Sequence, residues 1–155
     1  MTDTAEHRLA DAGHILPVAA APIAAYVPAV RSGNLLYISG QISFAPDGSI
    51  ITGRLGDTLD TAAGKAAAQR CGLMLIAQLK AALGDLSRVT RIVKLGVFVT
   101  SAPDFTAQPE VANGASELMV LAFGEAGRHA RSAVGVPALP RGAAVEVDAI
   151  VEVAD

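Results

Sequence analysis

The sequence predicts an α+β domain: a mixed β-sheet carrying two helices on one face, in the order β-β-β-α-β-α-β-β. Three observations predict it. Short β-branched segments bounded by Gly, Pro, Asn and Ser alternate with two long Ala/Leu-rich stretches, each closed by a glycine. The 155 residues suit one domain rather than two. Hydrophobic residues make up 52% while aromatics are only 4%, so Ala, Val, Leu and Ile must fill the core. The expected layout is a single domain over residues 1–155, with an N-terminal extension at 1–25 and a core at 26–153.

The opening residues Thr4 to Ala12 read as a short helix ended by Gly13, followed by an extended, proline-punctuated stretch. Tyr26 to Val30 reads as a strand, Ser32-Gly33-Asn34 as a turn, and Leu35 to Ile38 as a second strand stopping at Ser39-Gly40-Gln41. Ile42 to Phe44 reads as a short third strand before the Ala45-Pro46-Asp47-Gly48 turn.

The clearest helix begins at Asp60 or Thr61 and runs to Leu83, with Gly84 as its C-terminal cap. Ala68, Cys71, Gly72, Leu75, Leu79 and Ala82 share a face of it, and their small size allows close packing. Cys71 belongs to that stripe and reads as a buried small hydrophobe. Val89 to Thr100 is a strand and Pro109 to Phe123 a second helix, with Pro109 in its first turn and Gly124 beyond its end. Arg131 to Val136 and Ala144 to Val153 complete the sheet.

Composition excludes several functions. The net charge of −3 and pI near 5.5 argue against a basic nucleic-acid-binding surface. A single cysteine excludes an intrachain disulfide framework and a Cys-built zinc site. His7, His14 and His129 lack metal-ligand spacing, so no metal site is expected. No glycine-rich phosphate loop opens a helix. The apolar run from Ile15 to Val30 contains Pro17, Pro22 and Pro28 and is too short for a bilayer. The polar start from Met1 to Glu6 shows no secretory signal, so a cytoplasmic protein is expected. A mean hydropathy of +0.43 is high for so small a domain and predicts an oligomer that covers the surplus apolar surface.

The last third carries the candidate chemistry. Folding residues 131–146 as a hairpin centred near Leu139 would set Arg131 opposite Glu146. A guanidinium fork beside a carboxylate suits a small carboxylic acid and a polarised water, although an ordinary cross-strand ion pair has the same spacing. Asp148 shares a strand face with Glu146 and has the weaker case, since a solvated face looks the same in sequence.

At these residues the chain resembles the RidA/YjgF family of reactive-intermediate deaminases, also labelled endoribonuclease L-PSP. The blocks that carry the resemblance run in order. They are Tyr26 with Gly33-Asn34-Leu35-Leu36-Tyr37-Ile38-Ser39-Gly40-Gln41, then Gly84-Asp85-Leu86-Ser87-Arg88-Val89 running to Val97-Phe98-Val99. Asp104-Phe105 with Asn113 follows, and Ala130-Arg131-Ser132-Ala133-Val134 leads through Leu139-Pro140 to Glu146-Val147-Asp148-Ala149-Ile150. The extra length around Asn113 and Gly127-Arg128-His129 resembles a longer branch of the family.

The resemblance implies a chorismate-mutase-like subunit in a homotrimer with clefts between subunits. It implies hydrolysis of enamines and imines such as 2-aminoacrylate to 2-oxo acids and ammonia without a cofactor. By residue match, Arg131 would hold the substrate carboxylate and Glu146 would orient or activate water. Tyr26, Ser39, Gly40, Asn113 and the Ala133 backbone would line the cleft. The family's frequent cysteine two places after the arginine is Ala133 here, so thiol chemistry is excluded at that position. Two other functions are compatible: a non-catalytic trimer that binds small carboxylates, and a ribonuclease built on Arg128, His129 and Arg131. The acidic balance opposes the second, and His129 reads more simply as a surface or loop residue.

Overall fold

A computed structural model describes residues 3–155; the first two residues of the polar N-terminus lie outside it. Helix α1 (Ala5–Asp11) is capped by Thr4, whose hydroxyl accepts the His7 N–H, and it buries Ala5 and Leu9. Strands β1 (Ala29–Ser32) and β2 (Leu35–Ile42) follow, then helix α2 (Thr61–Leu83), strand β3 (Val89–Thr100), helix α3 (Gln108–Phe123) and strands β4 (Ala130–Val136) and β5 (Val145–Val153). The sheet order is β1-β2-β5-β3-β4. All neighbours are antiparallel except β3 and β4, which are parallel and joined through α3.

The expected mixed sheet with two helices on one face is therefore present, with differences in detail. The strand expected over Tyr26 to Val30 starts only at Ala29, after Pro28. The second strand does not stop at Ser39 but continues to Ile42 through a register irregularity between Ile38 and Gln41. The third strand expected at Ile42 to Phe44 shrinks to an isolated bridge between Phe44 and Ile50, because Ile42 already belongs to β2.

The largest correction concerns the end of the chain. Strands β4 and β5 do not form a hairpin, because β3 lies between them. Arg131 pairs with Leu95 on one side of β3, and Glu146 with Phe98 on the other.

Strict alternation along β5 buries Val145, Val147, Ala149, Val151 and Val153 under the helices and turns Glu146, Asp148, Ile150 and Glu152 to the opposite face. Helix α2 is capped by the Asp60 carboxylate, which accepts the Ala63 N–H at 2.8 Å, and it ends at Gly84 with φ 76°. Its stripe is wider than the sequence predicts. Leu73, Met74, Ile76, Ala77 and Gln78 are buried as well, while Ala82 is exposed in the last turn. The additional cover comes from the proline-rich segment, whose Ala20 carbonyl accepts from Gln78 Nε2 at 2.8 Å.

Helices α2 and α3 cross closely at glycine. A Cβ on Gly114 would run into the Lys65 carbonyl oxygen and come within 3.0 Å of the Gln69 nitrogen. Gly114→Ala gains about 1 kcal/mol of helix propensity. The forced separation of the two helices outweighs that gain, for a net loss of about 1–3 kcal/mol of stability. A urea midpoint at or above wild type would show that the crossing is not packed this closely.

Candidate active site

The sequence-designated residues fall into two groups on two surfaces. Tyr26, Gly40 and Glu146 line one cavity of about 380 Å³, walled by Ala20 to Ala24, Pro28, Ile42, Phe44 and Pro140. Ser39 stands beside it and fixes its rim. Its hydroxyl donates to the Val27 carbonyl at 2.8 Å, and its amide donates to the Pro28 carbonyl at 2.9 Å.

Gly40 has a steric reason to be glycine. An added Cβ would sit 2.9 Å from both the Glu146 Cδ and Oε1 atoms. The β2 irregularity thus lets the backbone pass directly beneath the Glu146 carboxyl group. That carboxyl accepts no hydrogen bond from the described residues. Burial raises its pKa above the ordinary glutamate value, and the Asp148 charge on the same face raises it further.

Asp148 is committed elsewhere. Its Oδ1 accepts the Gly96 N–H at 3.0 Å. Its pKa is raised by burial, against the opposing effects of that bond and of the Lys94 charge.

The second group surrounds Arg131 on edge strand β4. Arg131 shares the helix-facing side with Leu95, and its Nη1 donates to Asn113 Oδ1 at 2.9 Å and to Ser116 Oγ at 3.1 Å on α3. Its Nε and Nη2 have no partner among the described residues, so one edge of the fork is free for a carboxylate. Ala133 lies two places along the same side of β4, packed against the core.

Arg131 and Glu146 therefore do not converge within one chain. Their β3 partners are three residues apart, about 10 Å along the strand, and the two side chains leave opposite faces of the sheet. The expected pairing fails because a parallel β3–β4 connection displaces β4 to the edge.

Three further residues adjoin these groups; the sequence singles out His129 only within a ribonuclease cluster and does not single out Ser116 or Gln78. His129 is half-buried rather than a free surface histidine: Nδ1 lies 2.6 Å from the Gly127 carbonyl and Nε2 lies 2.8 Å from Ser116 Oγ. Ser116 was legible as the residue one helical turn beyond Asn113 on α3. Gln78 was legible as a polar residue inside the apolar stripe of α2. It donates to Gln41 Oε1 at 3.2 Å and lines the Glu146 cavity.

Among the described residues no group of three or more His, Cys, Asp or Glu side chains could hold a metal ion. No helix among the described residues is long and apolar enough to cross a membrane.

The fold and these two half-sites define a class: a small α+β domain with an edge-strand arginine open to an anion and a desolvated carboxyl group on a separate surface. Residues 17–153 match the family model described as Endoribonuclease L-PSP, and the chain belongs to that family. It is 57% identical to "Protein TCP17" of Trypanosoma cruzi over 138 residues, covering 88% of this chain and 86% of the relative. It is 32% identical over 136 residues to a 2-iminobutanoate/2-iminopropanoate deaminase of Dermatophagoides farinae, covering 87% and 91% of the two chains. The solved structure of Atu1372 from Agrobacterium tumefaciens, a protein described as having unknown function, superposes with a TM-score of 0.92 at 49% identity. That match covers 98% of this chain and 94% of the other.

Two substitutions separate geometry from stability. Gly40→Ala pushes only against the flexible end of Glu146, so stability changes by less than about 1 kcal/mol while the carboxyl is displaced. Glu146→Gln removes a charge that folding desolvates. Because the folded-state pKa is raised, ionisation opposes folding as pH rises through that value. The glutamine variant is then at least as stable as wild type near neutral pH, and the difference vanishes below the unfolded glutamate pKa of about 4.3. Thermal melts at pH 4 and pH 7.5 test this, and a lower melting temperature for the variant at pH 7.5 would contradict it.

Proposed function

We propose that the protein hydrolyses reactive enamines and imines, such as 2-aminoacrylate by way of its imine tautomer, to 2-oxo acids and ammonia, in clefts formed between copies of this chain assembled as a homotrimer. The observation that carries this reading is the separation of two chemically complementary halves. Arg131 offers an unpartnered guanidinium edge. Glu146 offers a carboxyl of raised pKa in a mostly apolar cavity. A second copy supplies what each half lacks. Exposed Val30, Tyr37 and Val134 on the helix-free side of the sheet, together with the high mean hydropathy, support such an assembly. The deaminase relative from Dermatophagoides farinae supports the reaction type.

In this reading the substrate carboxylate binds the free edge of Arg131, a bidentate fit that lysine lacks. Glu146 of the neighbouring copy accepts a proton from a water molecule as its oxygen bonds to the imine carbon. The carboxyl returns that proton to nitrogen as the C=N π bond opens, giving the carbinolamine. The carbinolamine hydroxyl proton then passes through the same carboxylate to nitrogen, the C–N bond breaks, and ammonia leaves as the carbonyl forms. Water is the only co-reactant. A raised carboxyl pKa suits both proton acceptance and proton return near neutral pH.

Release of 2-oxo acid from 2-aminoacrylate generated in situ tests the activity, and a rate equal to buffer across several imino acids rejects it. Saturable binding of 2-oxo acids without turnover would favour a carboxylate-binding trimer instead. Arg131→Ala loses about ten- to hundredfold in rate, the value of a charged hydrogen bond. Glu146→Gln loses about 10²–10⁴-fold. The wild-type rate falls on the acid side with an apparent pKa above the ordinary glutamate value, and that limb is missing in the glutamine variant.

Mixing the two impaired variants, with the residual rate of each subtracted, tests the shared cleft. Randomly reassembled trimers of Arg131→Ala and Glu146→Gln contain about one intact cleft in four, so about a quarter of wild-type activity returns. No recovery after verified subunit exchange would exclude a cleft built from two copies.

A further inference from the structure

We propose that Ser116 and His129 are positioning residues for Arg131, fixing which edge of its guanidinium meets the substrate carboxylate; this rests on the reading of Arg131 given above. The inference follows a chain of hydrogen bonds starting from the backbone. The Gly127 carbonyl, in the turn after α3, can only accept, so at 2.6 Å it requires the proton of His129 on Nδ1. Nε2 is then an acceptor, and the Ser116 hydroxyl donates to it at 2.8 Å. With its proton directed there, Ser116 Oγ presents a lone pair to Arg131 Nη1 at 3.1 Å, while Asn113 Oδ1 takes the same nitrogen at 2.9 Å. Nη1 is held by two acceptors from one helix face. Nε and Nη2 remain as the donors available to a ligand.

The surroundings fit this role. A cavity of about 430 Å³ opens over the group, lined by Ser116, Glu117, Val120, Arg128, His129 and Arg131. The other charges facing it are paired off: Arg128 with Glu125 at 3.1 Å, and Glu117 with Lys65 at 3.0 Å. Arg131 is the cation left without a carboxylate there.

Burial, assisted by the Arg131 charge, lowers the His129 pKa against the opposing effect of the Gly127 bond, so the ring is neutral at neutral pH. Protonating it would turn Nε2 into a donor aimed at Ser116 and place a second cation behind Arg131. The hydroxyl could no longer be oriented as described.

The test uses two readouts on the intact protein: steady-state imine hydrolysis and calorimetric binding of pyruvate. Ser116→Ala, which favours the helix and should fold, raises KM and the pyruvate Kd about 5- to 20-fold with a smaller change in kcat, the usual range for one hydrogen bond to a charged group. His129→Leu does the same. His129→Gln, whose amide oxygen can accept from Ser116, restores binding to within about twofold of wild type. Wild-type KM and Kd in folded Ser116→Ala and His129→Leu would overturn the positioning role while leaving the function standing. Failure of the wild type both to turn over imines and to bind pyruvate would overturn the function, and this inference with it.

Discussion

A parallel pair of strands needs a crossover, and here α3 supplies it by carrying the chain from the end of β3 back to the start of β4. The crossover settles where Arg131 and Glu146 stand. It sends β4 to the sheet edge and leaves the neighbouring place on the other side of β3 for β5. Arg131 then faces the underside of α3, whose Asn113 and Ser116 come within hydrogen-bonding distance. Glu146 faces the opposite side, beyond β3. The same connection therefore orients the arginine and separates it from the carboxylate.

The two halves hold their charged groups by different physics. Arg131 is tied through hydrogen bonds from α3, with one edge left open. Glu146 is held by shape: the side-chain-free backbone of Gly40 lies beneath it, and partial burial plus the Asp148 charge destabilise its ionised form. Asp148 remains beside it because the Gly96 amide, on a residue with no side chain to obstruct it, compensates its own burial. The two carboxylates on one strand face are thus not equivalent. One is occupied by the backbone and the other is free to exchange a proton.

The elements were largely legible because their local signals agree with their packing. Asp60 and Gly84 bound α2, Gly124 closes α3, and period-two burial marks β5, each with a cause contained in a few residues. Pairing was less legible. The spacing of Arg131 and Glu146 fits a hairpin as well as it fits two strands with a third between them, since spacing carries no information about an inserted neighbour. Spacing singles out Arg131 and Glu146 and motif resemblance adds the other five candidates, and the structure sorts the seven into two groups that no local pattern distinguishes. His129 lies in a loop as expected, but its burial and its partners were not legible for a related reason. Its partners are a carbonyl two residues back and a helix residue thirteen positions away, and only the turn at Gly124–Gly127 brings them together.

Edge strands create a further demand on the fold. Strand β4 pairs on one side only and alternates exposed Ala130, Ser132 and Val134 with half-buried Arg131 and Ala133. It contains no lysine, no proline and no acidic residue, the usual means of discouraging edge-to-edge association. Arg131 is its only charge, and that charge is directed under α3 rather than into the plane of the edge. An edge left unguarded in this way favours coverage by another chain, and covering it would bring foreign surface up to the open side of Arg131. The position of the arginine and the exposure of the strand that carries it are consequences of one topology. The closed assembly proposed above would answer both, since in it every copy could present its Glu146 surface to the β4 edge of the next.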